Sequence, residues 1–505
     1  MAPAFIGIDL GTSACKVIAV SGDGLVVAKA LRDYPIHTER PGWSEQDPAD
    51  WWRATDEAVR AVVAGLPSDA EIQGIGLCGQ MHGLTPLDER DQVIRRAILW
   101  NDQRAAPECD WITEQVGGLD KLIELTDNRM LPGFTGGKII WLRNHEPEHY
   151  ARMKSLLNPK DYLRLLMTGE HMTEVSDASG TGLFDVRERK WADALLEQID
   201  VPRDLLPDVV ESIEQTGTLR DDLAEQWGLP KGLPVYGGGG DAVIQTTSMG
   251  LIDRGPVGVT LGTAGIVAGG SDFCPDNPDG RVQVSCGNAP GRWHVMGVSL
   301  SAGGAFAWAR DALSPLVGGE QLPFKTLIDL ARTSPPGSKG LLFLPYLLGE
   351  RSPHVAPEAS ATWIGLTPMH DISDMIRSVV EGVLLNLREI VAVAADAGLE
   401  PTRIVASGGA TNDPFWLEML ADILGTTVVT VAGAAEGGAQ GAAMAAGVGA
   451  GFWDTLEDAA GQVRETQAFE PDAERHATYD RVFAAHRRLY GHLGDAFGDV
   501  AAAAA

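Results

Sequence analysis

Two stretches nearly half the chain apart share one plan, and that repeat restricts the fold more than any other feature. Phe5–Val20 (FIGIDLGTSACKVIAV) reads as two short buried strands joined at Gly11-Thr12-Ser13, with Asp9 closing the first. Pro256–Gly269 (PVGVTLGTAGIVAG) gives an apolar strand, a Leu-Gly-Thr-Ala-Gly turn and a second apolar strand. Glycine at such a turn lets backbone N–H groups converge on an anion with no side chain in the way. Alone, the first stretch is an ordinary N-terminal hairpin. Said twice, it points to two related lobes facing one polyphosphate. A third glycine site, Ile404–Ala410 (IVASGGA), runs a strand into small residues, as needed where backbone approaches a flat ring or a sugar.

A chain of 505 residues has room for two or more domains, and 44% hydrophobic residues is an ordinary globular composition. The formal net charge of -29 argues against nucleic-acid binding, because a phosphate backbone needs Lys and Arg opposite it. Cys15, Cys78, Cys109, Cys274 and Cys286 form no CxxC pair and read as reduced thiols of a cytoplasmic protein. No basic segment precedes the first apolar run, so no signal peptide is expected. No uncharged apolar run reaches the ~20 residues of a membrane helix.

Along the chain, Asp47-Pro48 marks a helix start, with the helix ending near Ala64. Ile72–Cys78 is a buried strand ending in the loop Gly79-Gln80-Met81-His82-Gly83, at the strand end where open α/β sheets place ligands. Val93–Trp100 is a further strand, and Thr173–Asp185 a polar loop with a strand at its end. Val235–Gly239 is a short strand ending in four glycines before Asp241. The main boundary is placed near Thr247, giving domains 1–247 and 248–505, with the last helix crossing back to the first lobe. Asp374–Ala394 is the clearest helix, with Ile376, Val380, Val383, Leu387 and Ile390 on one face. Ala501–Ala505 is low-complexity and frayed.

Several motifs fail. Gly74–Gly79 has dinucleotide-site spacing, but its glycines lie inside the expected strand. His145-Glu146-Pro147-Glu148-His149 matches a zinc motif that needs an unbroken helix, and Pro147 breaks it. Gly137-Lys138 is followed by Ile139, so there is no Walker A loop. Asp241 reads either as a helix cap or as a carboxylate that can approach a ligand across bare glycines. A kinase acting on an alcohol needs such a carboxylate beside the acceptor hydroxyl, with donors and a cation around the phosphates. Asp241 fits the first role; Asp9 and the two Gly-Thr turns fit the second.

The order of the three glycine sites resembles the actin-like (ribonuclease H-like) ATPase fold. Gly133–His145 (GFTGGKIIWLRNH) resembles the first signature of the FGGY carbohydrate kinases, with Lys138 and Trp141 in place, and Gly365 through Glu381 resembles the second. Gly79–Gly83, Leu99–Asp102, Trp43–Pro48, Pro159–Leu163 and Tyr346–Pro353 are similar to the xylulokinase branch, and the resemblance spans about Phe5 to Gly449. It implies an α/β protein of two lobes, each a mixed sheet flanked by helices, with the active site in the cleft between them. It implies transfer of the γ-phosphate of ATP, with Mg2+, to a ketopentose, D-xylulose going to D-xylulose 5-phosphate. By the same resemblance Asp241 is the catalytic base and Met81, His82 and Trp100 line the ketose. Gly11, Thr12, Gly262 and Thr263 hold phosphates, Gly409, Ala410 and Asn412 lie by the adenosine, and Asp9 positions magnesium through water. A homodimer is implied as well. One residue departs: Ala242 stands where these kinases carry Asn after the catalytic Asp. That leaves open another ketose or polyol, such as ribulose, erythrulose or xylitol. A non-catalytic sugar or nucleotide sensor is the alternative of a different class.

Overall fold

The computed structural model describes residues 2–317 and 321–504. It divides into two compact units, each assembled from separated stretches. The first takes Met1–Asp253, Gly270–His294 and Glu436–Val463; the second takes Arg254–Gly269, Val295–Ala435 and Arg464–Ala505.

In the first unit β1 (Ala2–Leu10) and β2 (Ala14–Ser21) form the expected antiparallel hairpin. β3 (Val26–Asp33) adds antiparallel to β2, and β4 (Ala70–Gly79) lies parallel on the other side of β1. β6 (Pro234–Gly240) runs parallel to β4, and β5 (Gln215–Thr218) closes that edge antiparallel. Alternation in β1 sends Ile6, Ile8 and Leu10 to one face and Phe5 and Gly7 to the other. On the first face α1 (Pro48–Ala64), capped by the Asp47 carboxylate, buries Trp51, Ala54, Ala58, Val59 and Val62. On the second face lies the Gly/Ala-rich helix α6 (Gly437–Gly449), whose Ala439, Ala442, Ala443 and Ala446 share a core with Phe5, Ile18 and Val20. Gly7 stands opposite Gly76 in the parallel register. A Cβ at Gly7 would lie 1.8 Å from the Ala439 carbonyl oxygen, and one at Gly76 1.9 Å from that of Ala442. Two bare strand positions therefore make the trough in which the helix sits.

The strands of the second unit repeat this order. β7 (Pro256–Leu261) and β8 (Gly265–Ser271) form the second hairpin, with β9 (Trp293–Ser299) beyond β8. β10 (Arg403–Ser407) lies parallel to β7, β11 (Val428–Val431) parallel to β10, and β12 (Glu465–Phe469) closes the edge antiparallel. Helices α3 (Gly303–Val317), α4 (Ile372–Asp396) and α5 (Pro414–Leu424) flank it. α4 starts in a capping box between Asp371 and Asp374 and buries Ile376, Val380, Val383, Leu387 and Ile390. The last helix, α7 (Ala473–Ala504), stays with the second unit instead of crossing back, because its buried Tyr479 is gripped by Arg377 and Glu381. The stretch that returns to the first unit is the one carrying α6. α7 also stays helical through Ala504, where a frayed end was expected; Ala505 lies outside the described residues.

Two local expectations change. Only Ala97–Ile98 of Val93–Trp100 is strand, because its partner Glu45–Gln46 is equally short and Arg95 turns aside to Glu45 and Glu146. Thr173–Asp185 holds a short helix, Val175–Ser179, because the Glu174 carboxylate accepts the N–H groups of Ser176 and Asp177. All five cysteines are buried and free of disulfides. Among the described residues no helix is long and apolar enough to cross a membrane.

Candidate active site

In the first unit β1, β4 and β6 end side by side, and each end carries a site residue: Asp9, Cys78 and Asp241. The pairing of β6 with β4 slips between Tyr236 and Gly239, a bulge that Gly238 permits with φ 74°. Asp241 then opens helix α2 (Asp241–Ser248), with Gly240 as the cap residue. The four glycines are not bare toward a ligand, as the sequence suggested. A Cβ at Gly238 would meet Leu77 O at 1.7 Å, one at Gly239 Asn288 Nδ2 at 2.4 Å, and one at Gly240 Met81 Cγ at 2.5 Å. They are bare because neighbours already fill that space. The Asp241 carboxylate accepts the N–H of Ala242 at 2.8 Å and that of Met81. Burial, and then the nearby charge of Asp9, push its carboxyl up to about 7. Asp9 is raised by burial too, and its Oδ1 accepts Cys78 Sγ at 3.2 Å.

The sugar-loop residues gather beside this pair. Met81 is only 4% exposed and packs on Gly240 and Gly180. His82 adopts a left-handed φ of 69°, stacks on Phe134 and bonds Gly180 O through Nδ1 at 2.5 Å. A carbonyl only accepts, so Nδ1 carries the proton. Lys138 of the first signature helix reaches back to hold this loop, donating to His82 O at 2.7 Å and Gly133 O at 2.6 Å. Burial pulls that ammonium down to about 7. Trp100 is 40% exposed, so it is no core residue; its Nε1 donates to Thr12 Oγ1 at 2.9 Å. Beneath lie buried polar groups that the sequence did not single out. Ser176 Oγ accepts Gly240 N–H at 3.0 Å and Asn288 Nδ2 at 3.2 Å, and Glu174 and Lys160 continue the network.

In the second unit Gly262, Thr263, Gly409, Ala410 and Asn412 come together around a groove of about 770 Å³. Its walls include Phe306, Phe324, Ile328 and Trp416, with Phe306 packed edge-on against Trp416. Apolar aromatic walls with glycine turns at the rim suit a flat heterocycle carrying phosphates. A Cβ at Gly409 would meet nothing within 4 Å, so that backbone is open to an incoming ring. Gly303 and Gly304, which the sequence marked at most as a helix start, brace the turn: Gly303 N–H donates to Gly262 O at 2.8 Å. Their signal was there, two glycines between a strand and a helix. Gly11, Thr12, Asp9, Met81, His82, Trp100 and Asp241 all belong to the first unit.

Among the described residues no group of three His, Cys, Asp or Glu side chains forms a metal cage. Mg2+ takes one or two carboxylates plus water and phosphate oxygens. Asp9 and Asp241, two desolvated carboxyls of which the first raises the second, fit such a cation.

Residues 4–248 match the N-terminal domain of the FGGY family of carbohydrate kinases, and residues 258–450 match its C-terminal domain. A xylulose kinase of Escherichia coli (strain K12) is 39% identical over 489 residues, 97% of this chain and 99% of its own. One of Bacillus subtilis (strain 168) is 37% identical over 492 residues, 97% of each. A crystal structure of a "xyloylose kinase" from Brucella ovis superposes with a TM-score of 0.92 at 33% identity, covering 97% of this chain and 99% of the other. The chain belongs to the FGGY family of carbohydrate kinases.

Proposed function

We propose that the protein phosphorylates a ketopentose, D-xylulose first, at its terminal hydroxyl with Mg-ATP, giving D-xylulose 5-phosphate and ADP. The observation that carries this is Asp241. It is a carboxyl raised to about 7, held by two backbone N–H groups, beside Asp9 and the Met81–His82 loop. A base whose pKa sits near the working pH is well matched to taking the proton of an attacking alcohol. Met81, His82 and Trp100 face the sugar. Gly262, Thr263, Gly409, Ala410 and Asn412 hold the nucleotide, and the turn at Gly11 and Thr12, whose Gly11 N–H is spent on Ala14 O, offers the N–H groups of Thr12 and Ser13 to its phosphates. Asp9, with Asp241 near, would hold the magnesium ion, which when bound neutralises phosphate charge. The names of the relatives support the sugar.

The test is ADP release from the full chain with Mg-ATP and D-xylulose, L-xylulose, D-ribulose, L-ribulose, erythrulose, xylitol, glycerol or no sugar. A clear preference for D-xylulose is expected. Preference for another member would move the substrate and point to Ala242, whose methyl makes no hydrogen bond. No stimulation by any of them would overturn the reading. Replacing Asp9 by Ala is expected to raise the Mg2+ concentration at half-maximal rate by about tenfold. An unchanged magnesium titration would remove Asp9 from that role.

A further inference from the structure

The Gly11–Ser13 turn is held by its carbonyls, and the donors come from elsewhere in the first unit. Gly11 O accepts the Tyr34 hydroxyl, and Ser13 O accepts Tyr34 N–H at 3.2 Å. Thr12 O accepts Gln46 Nε2 at 2.6 Å. Tyr34 is 7% exposed and Gln46 fully buried, so all three carbonyls point inward. In a trans peptide the N–H points opposite to its own C=O. The pinned carbonyls of Gly11 and Thr12 therefore turn the N–H groups of Thr12 and Ser13 outward, as an anion-binding concavity requires.

The orientation of Gln46 is itself determined. Trp51 Nε1, which can only donate, meets Gln46 Oε1 at 2.9 Å, and Gln80 Nε2 meets the same oxygen at 2.8 Å. The amide nitrogen must then face Thr12 O, which can only accept. Through Gln46 the turn is tied to Gln80, a neighbour of Met81 and His82 in the sugar loop. The second hairpin meets the same need with different groups. Gly262 O accepts Gly303 N–H at 2.8 Å, and Thr263 O accepts the N–H groups of Ala302 and Gly304 at 2.9 and 3.0 Å. Two turns of one plan, each with its carbonyl side pinned, share a requirement that packing alone does not impose.

We infer that Tyr34 and Gln46 are positioning residues for phosphoryl transfer, holding the first turn so that its N–H groups meet the nucleotide phosphates. This rests on the proposed kinase activity. Gln46→Glu keeps the acceptor for Trp51 and Gln80 but sets a carboxylate oxygen, and a buried charge, against Thr12 O in place of the donor. Tyr34→Phe loses only the hydroxyl. Trp227→Phe trims another tryptophan of the same core, one whose Nε1 donates to Asp56 Oδ1 at 2.7 Å instead of to Gln46, and serves as the packing control. Steady-state kinetics of the full chain, calorimetric Mg-ATP binding without sugar, and thermal melting are measured for each. Gln46→Glu and Tyr34→Phe are expected to lower kcat about 10- to 100-fold and to weaken Mg-ATP about tenfold, with sugar KM within about threefold. Trp227→Phe is expected to keep kcat within about threefold. If the folded Gln46→Glu or Tyr34→Phe proteins lose no more kcat than Trp227→Phe, or bind Mg-ATP as the parent does, the inference is wrong. Should Gln46→Glu not fold, Tyr34→Phe decides. A parent protein that phosphorylates no sugar overturns the proposed activity instead, and Mg-ATP affinity of the variants then decides this inference alone.

Discussion

Asp241→Asn is expected to lower kcat by roughly 10²- to 10⁴-fold while sugar and nucleotide still bind, because the amide keeps the shape but cannot take a proton. The same variant should be more heat-stable than the parent at neutral pH. Burial and Asp9 raise the Asp241 carboxyl from its ordinary 3.8 to about 7 in the folded protein. The folded state therefore holds that proton more tightly than the unfolded chain does. Stability falls as pH rises through the interval between those two values, and the deficit persists above it. Asn carries no charge and escapes the penalty. Melting at pH 8 should show a higher Tm for Asp241→Asn, with the gap closing below about pH 4. Retained turnover, or a Tm below that of the parent at pH 8, would contradict this account of the residue.

The second large effect is on folding. Gly76→Ala and Gly7→Ala each add one methyl, yet each methyl would fall within 2 Å of a helix carbonyl. Both oxygens belong to α6, which is packed along its length against β1 and β4, so neither backbone can retreat cheaply. Each substitution is expected to destabilise the first unit by ~3 kcal/mol or more, well above a typical surface change. Gly232→Ala, which would meet nothing within 4 Å, bears on the comparison only through its positive φ and should cost about 1 kcal/mol. Chemical denaturation of the three variants measures this. Equal losses at all three would show that the trough plays no part.

The Gly7 and Gly76 contacts also show where sequence reading stopped. Gly74–Gly79 was set aside as a dinucleotide motif because its glycines fell inside a strand, and they do. What Gly76 is for depends on a helix more than 350 residues later in the chain, which no local pattern announces. The four glycines before Asp241 were legible as a place where side chains are excluded, but the excluding atoms, in Leu77, Asn288 and Met81, are brought there by folding. Gln46 sat in a stretch recognisable as a helix entry, with nothing to distinguish its amide from a solvated one. Tyr34 gave no signal at all.

By itself the sequence determined the doubled hairpin, the helix start at Asp47-Pro48, the apolar face of the helix over Asp374–Ala394, the strand-end position of Asp9 and Asp241, and the family. These are local: period-two and helical apolar patterns, caps and glycine turns act over a few residues and leave their mark in order along the chain. The tertiary structure alone decided which stretches share a unit. It also decided that Asp9 raises the pKa of Asp241, that Lys138 supports the His82 loop, and that both Gly-Thr turns are held by their carbonyls. Those depend on distances between residues far apart in sequence. Hydrogen bonds and desolvation act over a few ångströms of space, and only folding sets which atoms come that close.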